Sequence, residues 1–151
     1  MTPYQGFSDS LLVPKRQQFQ ELLHRLGRSE RVEPLVAAYL ASYLSCVQVC
    51  ADVHATFSTL NGQGVHMGIA TNGPPDVVEA VLQHCDLQHF IHLMVTPAHV
   101  GAVKPAQSFA TYVLTQTGVD PSQIMFVGDR AEDILTATRM GATAVLVEGV
   151  S

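Results

Sequence analysis

Short apolar runs alternate with helical segments over the second half of the chain, and this alternation constrains the fold more than any other feature. The apolar runs are Val65–Ala70, Phe90–Val95, Ile124–Val127 and Ala144–Val147. Between them, apolar residues repeat at the spacing of a helix. Alternation of strands and helices predicts right-handed crossovers and a parallel sheet, in an α/β fold of three layers.

Two helical segments are predicted ahead of this region. The first begins at Pro14 and ends at Gly27. The second is capped by Ser29 and runs as one long helix to Leu60. No residue from Pro34 to Ala51 is charged, which predicts a deeply buried or interface helix, with a membrane span as the alternative.

The composition excludes some classes of partner. The chain has 151 residues, 47% hydrophobic and 14% charged, so it can bury the core of one domain. Its net charge is −5 and it has two lysines, which argues against nucleic acid or an anionic membrane surface. Three cysteines without framework spacing, and no basic-then-apolar leader, predict free thiols in the cytoplasm.

Two polar features stand where a parallel sheet binds ligands, beyond the carboxyl ends of its strands. Thr71, Asn72 and Gly73 follow the first predicted strand and precede a helix. A hydroxyl and free backbone N–H groups there can hold a phosphate oxygen, although a plain turn also fits. Lys104 lies in an apolar-flanked loop before another helix, where an ammonium can neutralise a phosphoryl group. A solvated surface lysine is the alternative.

Asp129 and Asp133 form the third feature. Asp129 ends the strand that begins at Ile124, and Asp133 lies one helical turn further on. Two carboxylates so placed can hold Mg²⁺, which prefers oxygen ligands and keeps several waters. They can equally cap the following helix and complement its dipole, and the spacing alone does not separate the two interpretations.

The order and spacing of these motifs from Val65 to Val147 resemble the haloacid dehalogenase (HAD) superfamily, in its phosphoglycolate-phosphatase-like branch. The resemblance implies a Rossmann-like core and Mg²⁺-dependent transfer of a phosphoryl group from a small phosphorylated molecule. By resemblance, Thr71, Asn72, Gly73 and Lys104 bind phosphate, Thr71 and Lys104 have catalytic roles, and Asp129 and Asp133 bind Mg²⁺. Asp129 is the more direct ligand.

The family's first motif, Asp-x-Asp-x-Thr at the end of a central strand, is not found in the sequence. No two aspartates are separated by one residue. If Ser10 replaces the threonine, Gly6 stands at the position of the nucleophile and Ser8 at the position of the general acid and base. Glycine has no side chain, and a serine hydroxyl is not a comparable proton donor, so neither residue can do that chemistry. Alternatively, the motif lay upstream and the chain is truncated. Pro3 cannot donate a hydrogen bond within a central strand, so residues 2–7 are a poor candidate for it. The remaining options for the central position are a short distorted strand, a strand or helix from a partner chain, or a sheet that has closed up.

The resemblance also divides the chain. It predicts a single domain, with a reduced helical cap over about residues 14–60, a core over about 62–151, and residues 1–12 as a possible degenerate first strand. Three functions remain open: a Mg²⁺-dependent phosphatase with impaired catalysis, a non-catalytic protein that binds a phosphorylated ligand or a partner, and a fragment without a role of its own. The uncharged helix adds the hypothesis of a homodimer.

Overall fold

The computed structural model describes residues 14–147 of the chain. The possible first strand within residues 1–12, with Gly6, Ser8 and Ser10, lies outside the described residues. The described chain begins with three helices: α1 (Lys15–Arg25), α2 (Glu33–Leu44) and α3 (Val53–Gly62). Pro14 stands at the start of α1, and Gly27 follows its end with φ +62°, so the first predicted helix is confirmed.

The predicted alternation of strands and helices is confirmed from residue 67 onward. The elements in chain order are β1 (Met67–Ala70), α4 (Pro75–His84), β2 (Ile91–Val95), the short α5 (Pro97–Val100), α6 (Gln107–Thr117), β3 (Met125–Gly128), α7 (Ala131–Met140) and β4 (Thr143–Leu146). Single 3₁₀ turns at Gln88–Phe90 and Pro121–Gln123 precede β2 and β3. Helices α6 and α7 end at glycines in the left-handed conformation, which carries no steric cost for that residue.

The strands form two parallel pairs. Strand β1 pairs with β2, and β3 pairs with β4. Within residues 14–147 no ladder joins β1 to β3, and a cavity of about 750 Å³ lies between them. We call this space between β1 and β3 the slot.

The core lies between β2 and the helices α6 and α7. Its buried side chains are Val95, Phe109, Ala110, Val113 and Met140. Phe109 and Ala110 have no exposed surface. The core therefore holds the second half of the chain together, below the loops that follow the strands.

The prediction of one long helix from Ser29 to Leu60 is wrong. The structure has two helices, and the first starts at Glu33 instead of next to Ser29. The break covers residues 45–52, where serine, cysteine and valine dominate and helix propensity is low. The Ser45 hydroxyl donates to the Ser42 carbonyl oxygen at 2.8 Å, a local bond typical of a residue that leaves a helix.

The uncharged stretch is also not deeply buried. Helix α2 has no buried residue, and Leu35 and Tyr43 expose 39% and 45% of their surface. No helix among residues 14–147 has both the length and the hydropathy to cross a membrane. The third interpretation of this stretch, an interface helix, stays a prediction.

Candidate phosphate and metal site

The predicted site residues gather at the edge where β1 and β3 end. Thr71 follows the last residue of β1, and Asp129 follows the last residue of β3. Lys104 comes from the loop between α5 and α6, and Asp133 from the first turn of α7. Within each pair the strands are parallel, so their carboxyl ends open at one edge. The hydrogen bonds of Lys104 to Ala70 and Asp133 join the edges of the two pairs.

Lys104 connects the two strand pairs. Its Nζ donates to the Ala70 carbonyl oxygen at 2.8 Å and to Asp133 Oδ1 at 2.5 Å. The ammonium also lies 5.7 Å from the centre of the Phe126 ring, within the range of a cation–π contact. The Lys104 side chain exposes only 10% of its surface, so it is not a solvated surface lysine.

Asn72 fixes the backbone of Lys104. The Lys104 N–H donates to Asn72 Oδ1 at 2.7 Å, and Asn72 Nδ2 donates to the Lys104 carbonyl oxygen at 3.3 Å. The asparagine therefore holds two loops that are 32 residues apart in sequence. The resemblance placed Asn72 in the phosphate loop, and this role in positioning the lysine is an addition from the structure.

Part of the predicted phosphate loop is bonded within itself. The Gly73 N–H donates to Thr71 Oγ1 at 3.0 Å, and the Thr71 N–H donates to the Val95 carbonyl oxygen at 3.0 Å. The Thr71 hydroxyl accepts the first of these bonds and keeps its own O–H to donate. The threonine hydroxyl is thus the better donor to an anion, since the Gly73 N–H already has an acceptor.

The two aspartates differ in their surroundings. Asp133 is 4% exposed, and its Oδ2 accepts from the Arg130 N–H at 3.2 Å, so it caps α7 as well as pairing with Lys104. Asp129 is exposed, and among residues 14–147 it has no hydrogen-bond or ion-pair partner. Each interpretation of the acidic pair therefore applies to one aspartate: Asp133 caps the helix, and Asp129 is open to a cation.

The donor set fits a Mg²⁺ ion with few protein ligands. No group of three or more histidine, cysteine, aspartate or glutamate side chains converges anywhere in the described part of the chain. Mg²⁺ is commonly bound by one or two carboxylates, with waters and substrate phosphate as the other ligands. Asp129 has both carboxylate oxygens available for this, whereas the oxygens of Asp133 already accept bonds from Lys104 and Arg130.

Gly128 and Phe126 were not among the predicted site residues. A Cβ at Gly128 would overlap the Asp133 carboxylate, so only glycine lets the end of β3 approach α7 this closely. The signal in the sequence was the glycine directly before Asp129 at a strand end. The contact of Phe126 with the ammonium had no such signal, because the distance between strand and loop depends on the tertiary structure.

Comparison with known proteins identifies phosphatases that resemble this chain in sequence. The chain is 32% identical over 107 residues to a phosphoglycolate phosphatase of Mannheimia succiniciproducens, covering 71% of this chain and 48% of that protein. It is 29% identical over 133 residues to a glyceraldehyde 3-phosphate phosphatase of Methanopyrus kandleri, covering 85% and 57%. It spans about half the length of the curated relatives that it matches.

The fold and the family profile agree with these relatives. A crystal structure of a HAD phosphatase from Thermococcus onnurineus superposes with a TM-score of 0.69 at 27% identity, over 86% of this chain and 59% of that one. The profile of haloacid dehalogenase-like hydrolases matches residues 7–147, nearly the whole chain. Both the predicted fold class and the predicted resemblance are confirmed, and the chain belongs to the haloacid dehalogenase-like hydrolase family.

Proposed function

We propose that this chain binds a small phosphate ester together with Mg²⁺ at the edge formed by Thr71, Lys104 and Asp129, and that its turnover is impaired. The observation that carries the proposal is the fixed ammonium of Lys104. It is held between the Ala70 carbonyl oxygen and Asp133, in a loop that Asn72 positions. A buried, oriented cation at a strand edge is an arrangement suited to an anion.

The hydrogen-bonding capacity of the site supports a phosphoryl ligand. An ammonium has three N–H donors, and two of those on Lys104 are used within the protein. The third donor and the Thr71 hydroxyl are available to phosphate oxygens. When bound, Mg²⁺ would supply charge neutralisation of the phosphoryl group. Asp129 would hold the ion, and Asp133 would mainly keep Lys104 in position.

The names of the relatives support the class of ligand. They include phosphatases of phosphoglycolate, glyceraldehyde 3-phosphate and N-acetylmuramic acid 6-phosphate, which are all small phosphate esters. The chain spans about half of these relatives, so the activity of a whole relative does not carry over directly. We propose the shared chemistry, a small phosphate monoester, as the ligand of this site.

The donor set supports impaired turnover. Phosphoryl transfer in this family requires a carboxylate nucleophile, and the sequence has no two aspartates separated by one residue. Asp133 cannot serve, since its oxygens accept bonds from Lys104 and Arg130. Asp129 would be committed to the metal. Among residues 14–147, the site therefore offers groups that bind a phosphoryl group and no remaining carboxylate to attack it.

Calorimetry on the full chain tests the proposal, with Mg²⁺ titrated first and inorganic phosphate second. We expect both to bind, and Asp129→Asn to weaken Mg²⁺ binding at least tenfold. Asp86→Asn is the matched control, because Asp86 is exposed, lies away from the site and has φ +53°, which asparagine tolerates. The control should leave both affinities within twofold of the unchanged chain.

A parallel assay with p-nitrophenyl phosphate and glyceraldehyde 3-phosphate tests the second half of the proposal. We expect no Mg²⁺-dependent release of phosphate above the buffer rate. Turnover that disappears in Asp129→Asn and persists in Asp86→Asn would overturn the impaired catalysis and keep the binding site. Absence of both Mg²⁺ and phosphate binding would overturn the proposal as a whole.

A further inference from the structure

Two histidine rings stack on each other at the amino ends of β1 and β2. His66 directly precedes β1, and His92 is the second residue of β2. Their ring centres are 4.8 Å apart, and the ring planes differ by 24°. Both residues are exposed. They are distant in sequence, so the pairing of the two strands brings the rings together.

An irregularity in the strand pairing helps to place His92. Met67 pairs with Ile91, and the next residue of β1, Gly68, pairs with Leu93. His92 lies between these two partners and has no partner residue on β1. An extra residue of this kind bends its strand and redirects the side chain, and such bulges recur beside functional sites. The backbone of β2 therefore contributes to the position of His92 beside His66.

The chemistry of the two rings suits a borderline divalent metal ion. A neutral imidazole has one ring nitrogen that can accept a hydrogen bond or bind a metal. Among residues 14–147, neither ring has a hydrogen-bond or ion-pair partner that would occupy this nitrogen. Imidazole suits Zn²⁺, Cu²⁺ and Ni²⁺, whereas Mg²⁺ prefers oxygen ligands. The pair thus offers two nitrogens to a class of ion different from the one expected at Asp129.

The spacing of the rings is compatible with a shared ion. Zn–N bonds of about 2.0–2.1 Å in a tetrahedral site place two ligand nitrogens about 3.4 Å apart. Ring centres separated by 4.8 Å can reach this spacing. The lone pairs lie in the ring planes, so each ring must turn about its Cβ–Cγ bond to face the ion. That torsion is soft in histidine, and both rings are exposed.

The site would have two protein ligands and would lie apart from the phosphate edge. In the described part of the chain, no third histidine, cysteine or carboxylate joins the pair, so water would complete the coordination. Thr71 is five residues beyond His66 along β1, which corresponds to roughly 16 Å in a strand. An ion between the histidines therefore does not touch the phosphate loop.

From these observations we propose that His66 and His92 form a second metal site, which binds Zn²⁺ through one nitrogen of each ring. The ion joins the amino ends of β1 and β2. It stabilises the folded chain, because the unfolded chain does not hold the two rings together. The inference is independent of the proposed phosphate site, since it uses other residues and another class of ion.

Spectra of the histidine rings test the proposal directly. Long-range ¹H–¹⁵N correlation on the full chain reports each of the seven histidines separately. Zn²⁺ is titrated above the usual pH range of histidine titration, with excess Mg²⁺ present to occupy Asp129. We expect one ring nitrogen of His66 and one of His92 to shift, and the other rings to stay unchanged. Calorimetry should give a dissociation constant in the micromolar range.

Phenylalanine variants separate metal binding from ring stacking. His66→Phe and His92→Phe each keep a flat ring in the stack and remove the ligand nitrogens. We expect each to weaken Zn²⁺ binding at least tenfold and to abolish the rise in melting temperature that Zn²⁺ causes. His89→Phe is the matched control, because His89 is an exposed histidine near His92 whose ring contact is with Phe90. Its Zn²⁺ affinity should stay within twofold of the unchanged chain.

The ring spectra also define the contrary outcomes. Zn²⁺ binding that leaves His66 or His92 unshifted would place the ion elsewhere and overturn the proposal. Absence of Zn²⁺ binding, or phenylalanine variants that bind Zn²⁺ as tightly as the unchanged chain, would overturn it too. If those variants do not fold, the spectra of the unchanged chain still decide, because they identify the ligand nitrogens without any substitution.

Discussion

The helical region of residues 14–64 and the α/β region of residues 65–147 differ in how they are stabilised. The α/β region buries a continuous core around Phe109 and Val95. The helical region has one buried hydrophobic side chain among its described residues, Val32. Leucines 22, 26 and 35 of that region are 39–63% exposed, and its ion pairs, such as Arg16–Glu33, lie at the surface.

The difference shows that the two regions contribute differently to the site. Side chains that hold the edge, Lys104 and Asp133, are buried in the α/β region and are fixed by at least two hydrogen bonds each. The helical region joins it through a few contacts, including the Phe57–Phe90 ring pair and the Arg16–Asp76 hydrogen bond. Changes in the α/β region should therefore cost much more stability than comparable changes in the helices.

Phe109→Ala should have the largest effect. The ring is fully buried, and its removal loses transfer free energy and leaves a cavity, which together cost about 3–5 kcal/mol. Phe57→Ala, at a half-buried ring of the helical region, should cost clearly less. Urea unfolding monitored by circular dichroism measures both. Equal losses at the two positions would contradict the contrast between the regions.

Lys104→Met should come next, because it leaves the buried Asp133 carboxylate without its cation. Breaking one side of a buried pair typically costs about 3–5 kcal/mol, whereas replacing both partners is often far less damaging. The double variant Lys104→Met with Asp133→Leu should thus be more stable than the single variant. A double-mutant cycle by urea unfolding gives the coupling free energy between Lys104 and Asp133. If the loss of stability in the double variant equals the sum of the two single losses, the ion pair does not contribute to stability.

Gly128→Ala should destabilise by about 1–3 kcal/mol, as expected for overpacking, because its Cβ would overlap the Asp133 carboxylate. Gly62→Ala is the matched control in the helical region. It ends α3 with nothing near an added Cβ, so the change should be neutral or slightly stabilising. Melting temperatures of both variants provide the measurement. A neutral Gly128→Ala would mean that Asp133 moves without cost.

The smallest expected effect on folding concerns the exposed face of α2. We expect Tyr43→Glu to change the free energy of unfolding by about 1 kcal/mol or less, because the ring is 45% exposed and loses only its stacking on Tyr39. If α2 forms the proposed homodimer, the unchanged chain sediments as a dimer at micromolar concentration and Tyr43→Glu as a monomer. Leu26→Glu, directly after the last residue of α1, is the control. A monomeric unchanged chain would rule out the homodimer.

The sequence was most informative where the structure is local or strongly periodic. The strand runs of the α/β region were predicted to within a residue or two, because each run is bounded by glycine, proline or a turn. The long helix was wrong because hydrophobic spacing continues through residues 45–52 although backbone hydrogen bonding does not. Periodicity reports which face is apolar, and it does not report whether the helix is continuous.

The sequence by itself determined the α/β fold and placed Thr71, Lys104, Asp129 and Asp133 beyond strand ends, since motif order and strand direction are properties of the chain. Only the tertiary structure decided that Lys104 pairs with Asp133, that Asn72 fixes its loop and that Asp129 stays exposed. Those facts depend on distances between segments about 30 residues apart. The slot between β1 and β3 has the same origin, because pairing between strands that are distant in sequence is settled by packing.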